Sequence, residues 1–439
     1  MKKKYRIILY TSIFLLCVVA SIILVVKKSN SVYEEESKPK VVKHKSMLSM
    51  NLEQTAGSGD YKTVTQSSWP TEGYKFNAEL SKCENGSTLS WDDTKKAVIM
   101  QGNVSDKCYV YFDIWIPSIA DYCTSGTDLA TCVKNFGDQG PSVSNIYIHN
   151  SSLTNGAGDN SYRYAGANPN NFVCFGSDAS PCPIDNLYRI IGVFGENYHG
   201  ANGKQLVKLI KYDYMTTDEL GTDGDYSQTY KEWGMDSTYK GTYGDGERIG
   251  VYYWNYKATG SATNTWSTSL LNKTNLNTNF INNIGTTWAN KIATVTWKVG
   301  GNTWANIGTK TSSVAYTNEI TNPVTTNTTD NATTYSAKIG LMYVSDYGFA
   351  ASPDAWTLTM SSYNNTTATN NNWMYMGLYE WTISRNAGYS GSAFYVSSVG
   401  FVNLSRVNGS CGVRASFNLE SSVSYVSGSG SMSDPIVIN

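Results

Sequence analysis

The apolar and polar positions in the last stretch of the chain, residues 373–439, alternate with the period of β-strands. From 411 to 419 the odd-numbered residues are Cys, Val, Ala, Phe and Leu, and the even-numbered residues are Gly, Arg, Ser and Asn. This period of two predicts a single strand with one buried face. Turn residues at Gly400 and at Asn408-Gly409 predict hairpins on its amino-terminal side. We therefore expect an antiparallel meander that forms the inner sheet of the main domain.

A continuous apolar run from Ile7 to Val26 follows four basic residues and ends at Lys27-Lys28. Twenty residues at helical rise cross the hydrocarbon core of a bilayer. A cleaved signal peptide, the alternative, would have a shorter run that ends in small residues. Residues 1–28 are therefore predicted to be a cytoplasmic tip and a single-pass signal anchor. The positive-inside rule then places the rest of the chain outside the cell membrane.

The next segments are predicted to be a flexible stalk over residues 29–60 and a small β-sandwich-like domain over residues 61–116. The stalk has charged and small residues without an apolar period. The small domain has strand-like runs at Tyr74–Phe76, Thr88–Trp91, Ala97–Met100 and Cys108–Phe112. A unit of about 55 residues needs a staple.

Six cysteines are candidates for structural disulfides in the oxidising environment outside the cell, namely Cys83, Cys108, Cys123, Cys132, Cys174 and Cys182. A zinc site at Cys83 and Cys108 is the alternative, but the sequence offers no third and fourth ligands near them. The other four form two pairs that would each close a small loop, and neither pair has the two-residue gap of a redox motif. The connectivity stays open, and Cys411 is left over.

Residues 117–439 carry mixed signals that predict one larger α+β domain. A short helix is expected from a Thr127 cap to Asn135, and a second helix from a cap at Ser267 or Thr268 to Ile284. The runs 187–194 and 206–212 predict a hairpin, and the runs 292–299 and 337–349 predict further strands. Polar tracts at 309–336 and 361–372 predict long loops.

Composition narrows the range of functions. The first 28 residues hold six Lys and Arg and no acid, so beyond them 28 basic residues face 35 acidic ones. This acidic balance argues against a nucleic-acid partner, which requires a basic footprint. Aromatic residues make up 13% of the chain, and Tyr is the commonest of them. Tyr offers flat contact area with a polar tip, which is typical of extracellular β-rich surfaces.

No catalytic or metal motif stands out in the sequence. The three histidines, His44, His149 and His199, are far apart and in loop-like settings, and neither a nucleophile elbow nor a metalloprotease helix motif occurs. Acidic Gly-containing strings at 223–225 and 245–247 do not have the ligand spacing of a calcium loop, so we interpret them as turns. No cofactor is therefore predicted, and calcium has no motif to support it.

Four motifs together carry a resemblance to a known family. They are a Trp-x-x-Ser helix start at Trp266, the segment Leu341–Asp346, an aromatic-x-x-x-Arg strand at Trp381–Arg385, and a closing Gly-Val-Arg strand at Gly412–Arg414. In this order they resemble the cell-surface proteins of Gram-positive gut bacteria that carry the DUF6273 domain. The similarity extends over about residues 121–439. This sequence departs from the family pattern at two positions. Cys411 replaces the usual residue before Gly412, and Ala415 stands where the family commonly has proline.

The resemblance implies a distant relation to C-type-lectin-like and formylglycine-enzyme-like folds. Such folds have a long helix, a shorter helix and a twisted antiparallel sheet that carries long loops. The related oxidase activity requires a reactive cysteine pair near the last strands, where only Cys411 lies. The calcium-ligand string of lectins is also missing in its expected form. Asn168-Pro-Asn170 is the nearest string, and we interpret it as a turn.

These observations favour a non-catalytic, membrane-anchored surface protein that binds a glycan or a host or bacterial surface protein. A cell-wall or glycan-processing enzyme and a passive structural surface protein are the alternatives. Long polar loops with aromatic residues on a rigid sheet suit recognition. The candidate ligand-binding residues are Trp373, Tyr375, Trp381, Asn403 and Arg406. Arg385 and Arg414 are interpreted as structural residues that bond loop carbonyls.

Overall fold

The computed structural model describes residues 48–439 except 66–67, 71, 104, 196–198, 202, 223–226, 230–239, 242–248, 258 and 325–331. Contacts divide the chain into two units, one ending at Ile116 and one spanning Pro117–Asn439. The predicted membrane anchor, Ile7–Val26, lies outside the described residues. Among the helices of the described part, none is long and apolar enough to cross a membrane.

The described part of the first unit contains six strands around a small apolar core. They are β1 Leu48–Glu53, β2 Tyr61–Val64, β3 Tyr74–Cys83, β4 Thr88–Asp92, β5 Ala97–Gln101 and β6 Cys108–Ile114. Four of them form a sheet in the order β2-β1-β6-β3, in which β1 and β6 run parallel. The hairpin of β4 and β5 packs Leu89, Trp91 and Val98 against the sheet.

The predicted stalk is wrong from residue 48 onward, because β1 lies between two strands of this sheet. Met50 and Leu52 are each 6% exposed and belong to the core of the unit. They alternate with Ser49 and Asn51, which is the period of two of a strand, and Asn51 is buried as well. Three apolar positions, Leu48, Met50 and Leu52, carry the pattern, but the run is short and polar residues surround it. The rest of the predicted stalk before residue 48 lies outside the described residues.

The second unit is an α+β assembly of seventeen described strands and several short helices, which confirms the predicted class. The strands are β7 Ile146–Ile148, β8 Tyr162–Tyr164, β9 Phe172–Cys174, β10 Leu187–Phe194, β11 Leu206–Lys211, β12 Ser227–Thr229, β13 Gly250–Tyr253, β14 Val295–Lys298, β15 Thr334–Ala337, β16 Ile339–Gly340, β17 Glu380–Arg385, β18 Ser392–Val396, β19 Val402–Arg406, β20 Ser410–Gly412, β21 Ser416–Asn418, β22 Tyr425–Ser427 and β23 Val437–Ile438. The α-helices are α1 Leu129–Gly137, α2 Pro141–Ser144, α3 Thr217–Leu220, α4 Ile281–Ala289, α5 Ser312–Tyr316, α6 Val344–Ala350 and α7 Thr366–Thr369. Two π-helical segments, Leu271–Phe280 and Thr317–Thr321, lead into α4 and out of α5.

Two main sheets organise the second unit. The first has the order β16-β21-β11-β10-β8-β7, with β9 also paired to β10. The antiparallel pairing of β10 with β11 confirms the hairpin predicted from the two apolar runs. The second sheet has the order β12-β13-β20-β17-β18-β19. Its strands β18 and β19 form the hairpin predicted at Gly400, whose φ of +98° suits glycine.

The predicted hairpin at Asn408-Gly409 is wrong. Strand β19 is an edge strand, whereas β20 lies on the other side of β17 and pairs with β13. The chain therefore crosses over after residue 409 instead of folding back. The turn dipeptide Asn408-Gly409 is present, but it does not join two paired strands. Strand β20 pairs instead with β13 and β17, and it is buried between them.

The segment 411–419 is two short strands in two different sheets and not one strand with one buried face. Strand β20 ends at Gly412, and β21 begins at Ser416 and pairs with β11 and β16. Every residue from Cys411 to Leu419 is buried. The polar positions are accommodated by specific partners. For example, the Ser416 hydroxyl donates to the Leu209 carbonyl at 2.9 Å.

The helix starts differ from the predictions by one or two residues. Helix α1 is capped by Asp128, whose carboxylate accepts the Thr131 N–H at 2.8 Å, and not by Thr127. At the second helix neither Ser267 nor Thr268 is the cap. The Ser269 hydroxyl accepts the Asn272 N–H at 3.2 Å.

The polar tract 309–336, predicted to be a loop, contains α5, a π-helical segment and β15. Its buried positions are 312, 315, 316, 319 and 320, which is the spacing of one helix face. Four of these residues are Ser, Ala, Tyr and Glu, so hydrophobicity alone conceals the face. The predicted loop at 361–372 likewise contains the short helix α7.

The predicted strand over 337–349 is also largely wrong, because only β16 is a strand and the segment then enters α6. The Asp346 carboxylate accepts the Tyr343 N–H at 3.0 Å and fixes the start of this helix. Every residue of α6 is buried, so the amphipathic period that marks a surface helix is missing.

The prediction of disulfides is confirmed. Three bonds join the six candidate cysteines in neighbouring pairs: Cys83–Cys108, Cys123–Cys132 and Cys174–Cys182. Cys83 and Cys108 are direct partners across β3 and β6. Cys411 is a free, buried thiol whose pKa is raised by burial and by the charge of Glu380.

Candidate functional site

A cleft of about 200 Å³ lies beside strand β10 in the second unit. We name it the Arg189 cleft and define it by its lining residues. They are Ala167, Asn168, Asn170, Phe172, Arg189, Tyr212, Lys240, Trp373, Met376 and Met432. Aromatic, apolar and cationic side chains form its floor, and exposed amide side chains form part of its rim.

The floor is built around the guanidinium of Arg189, which is 4% exposed. It lies between two aromatic rings, 4.5 Å from the centroid of Phe172 and 4.6 Å from that of Trp373. Both distances are within the range of cation–π contacts.

The edges of this guanidinium donate to three oxygen atoms of the protein. Nε donates to Asn171 Oδ1 at 2.7 Å, Nη2 to the Pro169 carbonyl at 2.9 Å, and Nη1 to the Trp373 carbonyl at 3.4 Å. All three acceptors are neutral, and no ion pair to Arg189 occurs among the described residues. Burial, together with the nearby charge of Arg414, lowers the pKa of Arg189 to about 9.

The turn at Asn168-Pro-Asn170 holds the cleft in place. Its Pro169 carbonyl accepts from Arg189, and the amide of the next residue, Asn171, donates to the Ile190 carbonyl at 2.7 Å. Two hydrogen bonds therefore join this segment to adjacent residues of β10, one to the side chain of Arg189 and one to the backbone of Ile190. Asn168 and Asn170 remain exposed at the rim.

Lys240 supplies a second cation at the rim. Its ammonium lies 4.8 Å from the ring centroid of Tyr375 and donates to the Thr369 carbonyl at 3.0 Å. Its pKa is lowered by burial and by the charge of Arg189. Because the described lining holds two cations and no carboxylate, this part of the cleft has a positive potential.

The structure does not bring the five predicted ligand-binding residues together on one surface. Trp373 lines the Arg189 cleft, but its indole N–H donates to the Tyr164 carbonyl and the side chain is 2% exposed. Tyr375 packs under Lys240 and donates to the Ser398 carbonyl at 2.6 Å. Trp381 is a core residue of the second sheet, 0% exposed, with its N–H on the Tyr252 carbonyl.

The other predicted residues lie elsewhere in the unit. Asn403 and Arg406 are on the edge strand β19 and do not line the cleft. Arg385 donates to the Val324 carbonyl at 2.9 Å, as expected of a residue that bonds a loop carbonyl. Arg414 bonds the Met374 carbonyl, but its main partner is a carboxylate, that of Glu380 at 2.8 and 2.9 Å.

Arg189, Lys240, Phe172 and Tyr212 were missed by the sequence analysis. The usable signal was Arg189 itself, a charged residue at the third position of the apolar run Leu187–Phe194. Buried charges of this kind require an explanation. Lys240 gives no such signal, because it follows a long polar tract.

The core of the second unit holds a separate network of buried charges. Arg163 is 2.7 Å from Asp159, and Lys208 is 2.5 Å from Asp346. Burial alone would raise the pKa of Asp346, but Lys208 and Arg163 together lower it. Cations and carboxylates therefore compensate each other within this network.

Two histidines that are distant in sequence meet at this network. His199 Nε2 lies 3.4 Å from Asp159 Oδ2, and His149 is buried against Phe349. Burial lowers the pKa of both rings, most strongly for His149. They are therefore neutral core residues in a folded protein near neutral pH.

Within the described residues, Cys83, Asp106 and Cys108 are the only close group of metal-ligand types. Both sulfur atoms are consumed by the disulfide, so the group is not a metal site. The acidic strings at 223–225 and 245–247 lie outside the described residues.

Comparison with known proteins adds no assignment. The chain matches no family model, no curated protein and no solved structure. The functional conclusion therefore depends on the chemistry of the cleft.

Proposed function

We propose that the chain is a membrane-anchored extracellular surface protein whose second unit is a non-catalytic binding module for a glycan, as in an adhesin. The observation that carries this proposal is the Arg189 cleft. It combines aromatic walls, exposed amide groups and fixed cations in one concave site. Sites for small polar ligands are typically mostly apolar with a few placed polar groups.

The chemistry of the lining favours a sugar. Tyr212 and Trp373 line the cleft with buried aromatic side chains, and the exposed amides of Asn168 and Asn170 both donate and accept hydrogen bonds, as sugar hydroxyls do. The volume of about 200 Å³ is below the typical range of about 300–1,000 Å³ for small-molecule pockets. We therefore propose that one terminal sugar residue enters the cleft while the rest of the glycan crosses the rim.

Three lines of support favour the extracellular, anchored setting. The three disulfides are typical of proteins in oxidising compartments. The apolar run Ile7–Val26 has the length of a membrane anchor, and the basic residues before it favour a cytoplasmic amino terminus. The resemblance to DUF6273 surface proteins supports a C-type-lectin-like arrangement for residues 117–439.

A glycan array probed with the full-length protein in mild detergent, with and without calcium, tests the proposal. The expected result is retention on a related subset of glycans. Asn168→Ala should weaken it by about three- to tenfold, the value of one hydrogen bond. Asn135→Ala, an exposed asparagine on helix α1, is the matched control and should leave binding unchanged. Failure to bind any glycan would overturn the proposal, and binding that Asn168→Ala does not change would move the site elsewhere.

A further inference from the structure

Most buried cations in the described part of this unit contact a carboxylate, and Arg189 does not. Arg163, Lys208 and Arg414 each contact a carboxylate, at 2.7, 2.5 and 2.8 Å respectively. Arg189 contacts only neutral oxygens among the described residues. A buried charge without a counter-ion costs free energy.

Arg385 is the other buried arginine without a carboxylate in the described part of the chain. It differs from Arg189 because its described partner is the Val324 carbonyl, next to residues outside the description, and it lines no part of the Arg189 cleft. Arg189, in contrast, lines this cleft. A ligand that enters this cavity meets the guanidinium directly.

We infer that the ligand of the Arg189 cleft carries a carboxylate, as the terminal residue of an acidic glycan does, and that Arg189 recognises this group. The inference rests on the proposed glycan-binding function and names the ligand class of the same site. Lys240, at the rim, attracts the same anion.

The donor count of Arg189 favours a carboxylate over a phosphate or sulfate group. A guanidinium has five N–H donors, and three are engaged by Asn171, Pro169 and Trp373. Two remain, which matches the two oxygens of a carboxylate in a bidentate contact. A phosphate or sulfate group presents three oxygens and would leave more of its acceptors unbonded.

The charge balance disfavours a phosphate monoester, which carries close to two negative charges near neutral pH. A sulfate ester carries one charge, as a carboxylate does, so the donor count alone separates these two. One buried cation and one cation at the rim form the positive field of the described lining. A single negative charge neutralises Arg189 and leaves Lys240 to water, as its exposed position allows. The rings of Phe172 and Trp373 hold the guanidinium in place before the ligand arrives, which lowers the entropic cost of recognition.

The test uses an array that presents each acidic glycan beside its neutral and its sulfated counterpart, probed with the full-length protein. Hexuronic and sialic acid glycans are the carboxylated arms. We expect the carboxylated member to bind at least tenfold more tightly than the neutral member, and more tightly than the sulfated one. Equal binding of acidic and neutral members would overturn this inference but leave glycan binding intact. Preference for the sulfated member would also overturn it. Failure of all glycans would overturn the proposed function itself.

Two changes locate the recognition without relying on a core substitution that could prevent folding. The methyl ester of the best carboxylated glycan removes the ligand charge and places a methyl group on one carboxyl oxygen, and it should bind at least tenfold more weakly. Lys240→Met should weaken the acidic glycan about three- to tenfold and leave its methyl ester unchanged. Lys204→Met, a 57% exposed lysine paired with Glu420, is the matched control and should change neither. An ester that binds as tightly as the acid would refute the role assigned to Arg189.

Discussion

Substituting Glu319 by glutamine should remove a pH dependence of stability that burial of this carboxyl creates. Glu319 is 1% exposed and accepts the N–H groups of Val344 at 2.8 Å and Ser345 at 3.0 Å. The Ser384 hydroxyl also donates to it. Burial, and to a smaller extent the charge of Asp346, raises its pKa from 4.5 to about 7.

The direction of the effect follows from proton binding in the two states. Between pH 4.5 and pH 7 the folded protein keeps a proton on Glu319 that the unfolded chain releases. Rising pH therefore favours the unfolded state over this window, and the free energy of unfolding falls. A pKa difference of about 2.5 at 1.36 kcal/mol per unit gives a loss of about 3 kcal/mol. Glutamine cannot ionise, so Glu319→Gln should lack this loss.

Urea unfolding followed by tryptophan fluorescence at about pH 4.5, 6 and 7.5 measures the effect. The pKa values of Asp159 and Asp346 are lowered in the folded protein. The stability that these two carboxylates contribute is therefore lost only at pH values below this window, and it does not mask the effect of Glu319. Glu380 has a raised pKa but is present in both proteins and cancels in the comparison. Glu420→Gln, at the surface beside Lys204, is the control. Equal falls in stability for wild type and Glu319→Gln between pH 4.5 and 7.5 would refute the reasoning.

Further predictions concern the buried pair and the disulfide of the first unit. Arg414→Met should destabilise the second unit by about 3–5 kcal/mol, because it leaves Glu380 buried without its partner. The double variant Glu380→Leu/Arg414→Met should be less destabilised than Arg414→Met alone, and a larger loss measured by urea unfolding would contradict this. Replacing Cys83 and Cys108 by serine opens a loop with a sequence separation of 25, which should cost about 3–4 kcal/mol. Thermal unfolding by calorimetry should show a lower Tm for the first unit, and an unchanged Tm would contradict a structural role.

Local sequence signals are sufficient where neighbouring segments pair with each other. The hairpin of β10 and β11 was predictable because two apolar runs flank one turn-rich segment. The cysteine pairs of the second unit were predictable as structural staples because each pair closes a short loop. In these cases the partner lies nearby in the chain, so spacing carries the information.

Local signals fail where the partner is distant or the surroundings bury every face. The segment 411–419 alternates cleanly, but its two halves pair with strands about 160 and 200 residues earlier. Helix α6 is buried on all sides, so its sequence lacks a polar stripe. The face that contains Glu319 is polar because its partners are backbone N–H groups of another segment.

The candidate site was only partly predictable for the same reason. Trp373 was identified, and the turn at Asn168-Pro-Asn170 was noticed, but neither indicates a cleft by itself. Arg189 completes the site, and it comes from a strand whose apolar neighbours predict only burial. The cleft exists because the first sheet places β10 beside the turn and the segment before β17.

A crystal structure of the protein with its best carboxylated glycan tests the central claim most directly. The account predicts electron density for the terminal acidic sugar in the Arg189 cleft, with its carboxylate within hydrogen-bond distance of the Arg189 guanidinium. A glycan bound at another surface, or bound in the cleft with its carboxylate pointing to solvent, would contradict it.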